Sequence, residues 1–360
     1  MAQVTEAQPR PKSAPWQRRN PRNTLLVALS SVLPILISIA ITMGLGLDGA
    51  IGLIVVFVPL QLLASISVGH ILYKKRGRQD SALMVFTIFF STLVAVLLIS
   101  VLVSVFQQGA QMMSFSFISQ NNTYITPTTS LDYGGLGHAV LGSLAVVGFT
   151  TLVTVPLGIG VAIYLTESRS KTIPIVRSLI QSMSGLPSVV AGLFIYSALI
   201  VTGISHQIGV TGSMALIPLM LPTVARVCEE ALRLVPGELR SAALGLGAPS
   251  YRMFLQVVLP AARSGIITAI LLGIARVIGE TAPLLLTVNT ASNTNLNIFN
   301  GPIATLPTYL FQNLSFSTDN SIQRAWGAAL VVLFLVLIIF TLARVVGGDK
   351  KIAKPKKRNK

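Results

Sequence analysis

The sequence has few of the residues on which soluble proteins and enzymes depend. Charged residues make up only 11% of the 360 residues, while hydrophobic ones make up 52%, and this composition excludes a water-soluble globular protein. Cys228 is the only cysteine, so an intramolecular disulfide is excluded and a thiolate metal site is disfavoured. No Gly-Lys dipeptide occurs, which excludes the G-x-x-x-x-G-K-[ST] loop that binds ATP phosphates.

Catalytic side chains are also scarce. The three histidines, His70, His138 and His206, fall near the ends of apolar stretches and are expected to be interfacial residues rather than metal ligands. Nothing in the sequence places a nucleophile beside a base. We therefore expect a protein that is not an enzyme, and its energy source must be an ion gradient or a partner.

Apolar stretches dominate what is present. A membrane helix needs about 20 apolar residues, and eight stretches meet or approach that length. They run approximately over 24–46, 50–73, 81–106, 139–165, 186–203, 213–228, 264–287 and 325–346. Pro187 opens the fifth stretch, while Pro218 and Pro222 interrupt the sixth, so both are expected to be broken or re-entrant. The predicted fold class is an all-α integral membrane protein.

Basic residues lie almost entirely on one predicted face of the membrane. Of the 27 Lys and Arg residues, 25 fall in the segments 1–23, 74–80, 166–178, 226–263 and 344–360. Because Lys and Arg resist translocation, this face is predicted to be cytoplasmic and to carry both termini. The net charge of +16 therefore records orientation beside membrane lipid rather than a nucleic-acid partner.

The cytoplasmic segment 229–263 is predicted to form two short helices joined by a bend. Good helix formers run from Glu238 to Leu246, Gly247 permits a turn, and Pro249 suits the first position of the next helix. Helical spacing relates the apolar residues of each helix, which are Leu239, Ala242, Ala243 and Leu246 on the first and Tyr251, Phe254 and Leu255 on the second. These faces suit a groove on a partner, although a hairpin that lies on its own helix ends has the same periodicity.

The same segment resembles the EAA loop of ABC-importer permeases. That loop reads Glu-Ala-Ala, three residues, Gly, nine residues, Ile-x-Leu-Pro. The matching positions are Ser241, Ala242, Ala243, Gly247, Val257, Leu259 and Pro260. Ser241 replaces the glutamate and Val257 the isoleucine. The resemblance implies that the segment couples the chain to a separate ATPase subunit.

Two charged residues lie inside the seventh apolar stretch. Arg276 and Glu280 are at i and i+4, so they are neighbours on one helix face and are predicted to pair. An arginine at the centre of a membrane helix costs roughly 2.5–3.5 kcal/mol, and it is therefore expected to face the bundle interior or a watery cavity. Pro283 cannot donate a hydrogen bond to the carbonyl of Gly279, which predicts a kink beside Glu280.

This pair supports two interpretations. In the functional one, the planar donors of Arg276 bind a passing oxyanion that competes with Glu280 for the guanidinium, or Glu280 moves to another basic partner during opening. In the structural one, the two side chains only neutralise each other's buried charge.

The stretch 275–285, which reads ARVIGETAPLL, is similar to the A-R-x-x-G-E-T-A-P-L-L segment of the PstA family, permease subunits of the phosphate-specific (Pst) ABC importers. Residues 154–167 (TVPLGIGVAIYLTE) and 185–196 (GLPSVVAGLFIY) resemble the same family. The likeness covers about 81–347, the usual six-helix core. It implies that Arg276 and Glu280 lie on a pathway for inorganic phosphate.

The resemblance also implies the partners. In that family the permease pairs with a sister permease (PstC), two copies of an ATPase (PstB) and an external phosphate-binding protein (PstS). ATP and magnesium would be bound by the ATPase, and this chain would hold no cofactor. The implied location is the cytoplasmic membrane of a prokaryote.

The predicted organisation has five parts. They are a basic tail 1–23, an extra transmembrane hairpin 24–73, a basic cytoplasmic loop 74–80, the permease core 81–347 and a basic tail 348–360. Within the core, the outer segments 107–138 and 288–324 are rich in Asn, Ser, Thr and Gly and are predicted to be surface loops long enough to receive a partner.

Two other transport functions remain as alternatives. A permease for another oxyanion, such as sulfate or molybdate, is disfavoured by the stretch 275–285. An ion-coupled secondary transporter would place further protonatable groups at the midplane and would show a repeated half, and the sequence has one charged pair and no evident repeat.

Overall fold

The computed structural model describes residues 21–45 and 50–347, and all regular structure within these ranges is helical. The predicted tail 348–360 and most of the tail 1–23 lie outside the described residues. The helices are α1 (Pro21–Leu45), α2 (Ala50–Ala110), α3 (Phe115–Ser119), α4 (Gly137–Glu167), α5 (Ile173–Ser184), α6 (Ser188–Ile195), α7 (Gly209–Arg233), α8 (Gly237–Gly245), α9 (Ser250–Met253), α10 (Leu259–Ala261), α11 (Arg263–Ile278), α12 (Ala282–Thr287), α13 (Leu306–Phe316) and α14 (Asp319–Gly347).

The described helices agree with the predicted membrane spans. Five are long and apolar enough to cross a membrane, and the number rises to seven when two bent helix pairs each count as one span. Lys74, with φ 56° and ψ −134°, interrupts α2 and makes it two helices. Counting the two halves of α2 separately brings the upper count to eight, which is the predicted number.

The chain divides into two compact units, Met1–Leu102 and Val103–Lys360. In the first unit, α2 folds back on itself at Lys74. A Cβ added at Gly77 would lie 2.1 Å from the carbonyl oxygen of Gly69, so the two backbones touch there and only glycine fits. The prediction of a loop over residues 74–80 is therefore wrong. The chain reverses at Lys74 alone, which has a positive φ, and residues 75–80 are helical.

In the second unit, α7 is the most buried of the single helices long enough to cross a membrane, since 56% of its apolar window is buried. The predicted break at Pro218 and Pro222 does not occur, because α7 continues through both prolines to Arg233. Glycines let its neighbours approach: a Cβ at Gly158 of α4 would lie 2.8 Å from Val224, and one at Gly273 of α11 would lie 2.7 Å from it. Small residues thus allow three helices to pack closely.

The fifth predicted span is broken, as expected. Pro187 lies immediately before α6, which continues as a π-helix over Tyr196–Val201. The amphipathic helix α5 was missed within what was predicted to be a cytoplasmic stretch, and it is bent by 102° from α6 and its continuation. This helix has only 12 residues, with an apolar face and a polar face. Such a length is too short for hydropathy to indicate a membrane span.

The outer segments are more ordered than the predicted surface loops. They contain α3 and α13, and the run from Ile303 to Tyr309 is buried. Arg324 is 1% exposed in α14, and its Nη2 donates to the carbonyl oxygens of Thr129 and Ser130 at 2.9 Å. His138, the second residue of α4, is also buried, with its ring centroid 5.6 Å from that of Tyr309, so it packs against protein.

The packing around α4 predicts that a glycine-to-alanine substitution affects stability differently at two of its positions. A Cβ at Gly142 would lie 2.0 Å from the backbone oxygen of Ala304, whereas nothing lies within 4 Å of a Cβ at Gly148. We expect Gly142→Ala to lower stability by about 1–3 kcal/mol through overpacking. Gly148→Ala should be neutral or stabilising by up to about 1 kcal/mol. Thermal unfolding of the detergent-solubilised variants checks this, and equal midpoints would contradict the packing described.

Candidate functional site

The segment between α7 and α11 has the predicted bend. Helix α8 ends at Gly245, Gly247 has φ +84°, and the chain then enters α9. Pro249 lies immediately before α9 rather than at its first helical position. The prediction of two short helices with a turn at Gly247 is therefore confirmed.

This segment, which we call the coupling loop (229–263), presents apolar side chains to the outside. Leu246 is 90% exposed and Tyr251 is 61% exposed, with Leu239 and Leu255 also exposed. Phe254, by contrast, is buried in the hydrophobic core. The loop is thus anchored on its own helix bundle by one side and leaves an apolar surface on the other.

The positions that match the EAA pattern divide in the same way. Ala242 and Pro260 are exposed together with Ser241, whereas Ala243 and Leu259 pack against the core. Val257 is half-buried. The pattern therefore combines contacts that hold the loop with positions that are free to meet a partner.

The helix that carries the predicted charged pair is broken beside Glu280. Helix α11 ends at Ile278, the residues Gly279 to Thr281 are not helical, and α12 begins at Ala282 with Pro283 in its first turn. The predicted kink is confirmed, and it is sharper than a bend in a continuous helix. The reason is that Pro283 can begin a helix but cannot supply the hydrogen bond that would continue α11.

Arg276 and Glu280 do not form the predicted ion pair. No oxygen of Glu280 lies within 4.0 Å of the guanidinium in the described part of the chain. Arg276 Nη1 instead donates to Thr223 Oγ1 of α7 at 2.8 Å. The i, i+4 geometry requires a continuous helix, and the helix ends between the two residues. The exposed guanidinium thus has no carboxylate partner within the ranges that the structure describes.

The far side of the break is firmly held. A Cβ at Gly192 of α6 would lie 2.6 Å from Pro283 Cα. Thr211 Oγ1 of α7 donates to the carbonyl oxygen of Thr287 at 2.8 Å, and Gln207 Nε2 donates to that of Leu286 at 3.1 Å. Helix α12 is therefore fixed by α6 and α7, which places the non-helical residues 279–281 between two supported helices.

Several polar contacts near these sites were missed from the sequence. Arg240 forms an ion pair with Glu167, and Glu229 pairs with both Arg177 and Arg233. Only the pair of Arg233 with Glu229 has a sequence signal, since its residues are four apart on one helix. No group of three His, Cys, Asp or Glu side chains suited to a metal is found among the residues described.

Comparison with known proteins agrees with this architecture. The family model described as "Binding-protein-dependent transport system inner membrane component" matches residues 154–350. The chain is 40% identical over 214 residues to the phosphate transport system permease protein PstA 1 of Mycobacterium tuberculosis H37Rv, covering 59% of this chain and 70% of that one. It is 38% identical over 258 residues to PstA of Yersinia pestis, covering 71% and 85%.

Solved structures show the same fold. The MetNI methionine ABC transporter matches with a TM-score of 0.50 at 17% identity, over 59% of this chain and 94% of that chain. A bacterial alginate ABC transporter matches with a TM-score of 0.52 at 14% identity, over 75% and 95%.

The apolar membrane helices and the family match together define a transport permease of the inner membrane. The chain belongs to the family of inner membrane components of binding-protein-dependent transport systems. It is thus a multi-pass subunit of an ABC importer, which works with an ATPase and a binding protein.

The separation of Arg276 from Glu280 predicts independent effects on transport. We expect the losses of uptake rate in Arg276→Gln and Glu280→Gln to multiply in the double variant, with a coupling free energy below about 0.5 kcal/mol. Uptake by the assembled transporter measures all four rates. Arg276→Lys should be impaired as well, because lysine lacks the planar fork of donors.

A coupling free energy above about 1 kcal/mol would contradict this expectation, because it would mean that the two side chains pair during transport. Full transport in all the single variants would leave only a structural role for both residues.

Proposed function

We propose that the chain is the permease subunit through which an ATP-driven importer passes inorganic phosphate into the cell. The observation that carries the proposal is the stretch 275–285, which falls at the helix break and presents a guanidinium that pairs with no carboxylate of residues 21–45 and 50–347. The names of the relatives, phosphate transport system permease proteins, support phosphate as the substrate.

The observed contacts of Arg276 suit the binding of an oxyanion better than the predicted ion pair with Glu280 would. An arginine already bound to a carboxylate must give up a charge-assisted hydrogen bond before it can accept an anion. Among the described residues, Arg276 is bound only to the hydroxyl of Thr223, which leaves its other donors for phosphate oxygens. Glu280, half-buried beside the break, is then a second pathway residue that acts independently of Arg276.

The chain would have no ATPase site of its own. The coupling loop offers an apolar surface to an ATP-binding subunit of the PstB type, present in two copies that hold the ATP and magnesium. A PstC-like sister permease and a PstS-like external phosphate-binding protein complete the proposed complex. The coupling loop and both termini are placed in the cytoplasm because the basic residues cluster there.

Reconstitution tests the proposed function. Proteoliposomes with the chain and its three candidate partners should take up phosphate only when ATP is supplied to the ATP-binding subunit, with uptake at background when ATP is omitted. Excess unlabelled phosphate should compete, whereas sulfate and molybdate should not. Uptake driven by a proton or sodium gradient alone would contradict an ATP-driven importer, and preference for sulfate or molybdate would contradict the proposed substrate.

The bend of the coupling loop supports a second test. Gly247 has φ +84°, a conformation in which a β-branched residue is strongly strained, while Gly245 lies in the last turn of α8. Nothing lies within 4 Å of a Cβ at either glycine, so the two positions differ in backbone rather than in space. We expect Gly247→Val to lose several-fold in retention of the ATP-binding subunit and in uptake.

The matched variant Gly245→Val should retain both properties. Co-purification and ATP-dependent uptake measure them. Equal retention and uptake in the two variants would show that the shape of the bend does not matter for coupling, and the assignment of the loop would then fail.

A further inference from the structure

Arg240 joins the coupling loop to two membrane helices through one side chain. Its Nη1 lies 2.5 Å from Glu167 Oε1, and Glu167 is the last residue of α4. Its Nη2 donates to the carbonyl oxygen of Leu232 at 2.9 Å, in the last turn of α7. One side chain on α8 thus binds both α4 and α7.

The position is favourable for a cation. The C-terminal ends of helices carry partial negative charge and carbonyl groups without helical partners, and Arg240 lies at two such ends. Its side chain is 23% exposed and that of Glu167 is 24% exposed. The arginines of the other two described ion pairs, Arg177 and Arg233, are 46% and 54% exposed. The Arg240 contacts are therefore less screened by solvent.

The two faces of α8 have different surroundings. Leu239 of α8 and Leu246, the residue that follows this helix, are exposed and available to a partner. Arg240 is half-buried and points its guanidinium at the membrane helices instead. A displacement imposed on the outer surface of α8 therefore reaches α4 and α7 through polar bonds, whose short range and directionality make them stiff.

We propose that Arg240 is a positioning residue that transmits movement of the coupling loop to α4 and α7, with Glu167 as its ionic partner. The inference rests on the proposed function, since it assumes that an ATP-binding subunit docks on the coupling loop. It assigns Arg240 to the link between hydrolysis and transport, and neither to docking nor to contact with the transported anion.

The test measures phosphate taken up per ATP hydrolysed by the reconstituted complex. In Arg240→Gln and Glu167→Gln, we expect the ATP-binding subunit to be retained and hydrolysis to continue, while uptake per ATP falls about tenfold, as loss of a charged hydrogen bond predicts. Arg240→Lys should recover part of the ratio, because its ammonium can reach Glu167 but cannot serve both partners as a planar fork.

Charge reversal makes the test specific. Arg240→Glu alone and Glu167→Arg alone should each be uncoupled, and the double variant should regain part of the ratio, lacking only the bond to Leu232. Arg177→Gln is the matched control, because it removes an ion pair between α5 and Glu229, and Arg177 lies outside the coupling loop. Its uptake per ATP should equal that of the wild type.

Three outcomes would overturn the proposal. They are equal loss of uptake and hydrolysis, loss of the ATP-binding subunit from Arg240→Gln, and an unchanged ratio. The first two would assign Arg240 to docking or to general stability, and the third would assign it no role. Absence of ATP-driven phosphate uptake by the wild-type complex would contradict the proposed function itself, which distinguishes the two failures.

Discussion

A membrane helix can be interrupted only where protein supplies the contacts that lipid cannot, because an unsatisfied backbone group in hydrocarbon costs several kcal/mol. The break at residues 279–281 obeys this constraint. Helix α12 beyond it receives a side-chain hydrogen bond from Thr211 on α7, and Gly192 of α6 lets the backbone at Pro283 approach closely. The bundle around α7 is thus the condition for an irregular segment at membrane depth.

The same constraint explains where glycine is needed. Gly158 and Gly273 face Val224 from two sides, at distances where a Cβ would not fit. A side chain at Gly158 would crowd α4 against α7, and one at Gly273 would crowd α11, the helix that carries Arg276. Close packing of small residues therefore sets the position of the guanidinium, although none of these glycines contacts it.

The membrane spans, the helix break and the bend could be predicted from the sequence, but the pairing of charged side chains could not. Hydropathy predicted the spans, and Pro283 and Gly247 predicted a break and a bend, because each of these signals is local. The pairing of Arg276 with Glu280 was wrong for a local reason too: the i, i+4 rule assumes a helix that Pro283 itself ends. The proline signal should have overruled the spacing signal.

Other features depend on tertiary contacts and had no signal in one sequence. Arg240 and Glu167 are 73 residues apart, and nothing local relates them. The burial of Arg324 follows from loop carbonyls that fold over it. The continuity of α7 through Pro218 and Pro222 likewise follows from packing on several sides, which outweighs the local tendency of proline to end a helix.

Helix α7 contacts both sites at once. Leu232 receives the hydrogen bond from Arg240, and Thr223 receives the one from Arg276. Nine residues separate them, about 14 Å along the helix axis. Under the proposed coupling, a shift of the coupling loop moves the end of α7, and the rest of α7 moves with it because the helix is unbroken. The proposed coupling therefore extends along α7 to Thr223, the residue whose hydroxyl accepts the hydrogen bond from Arg276.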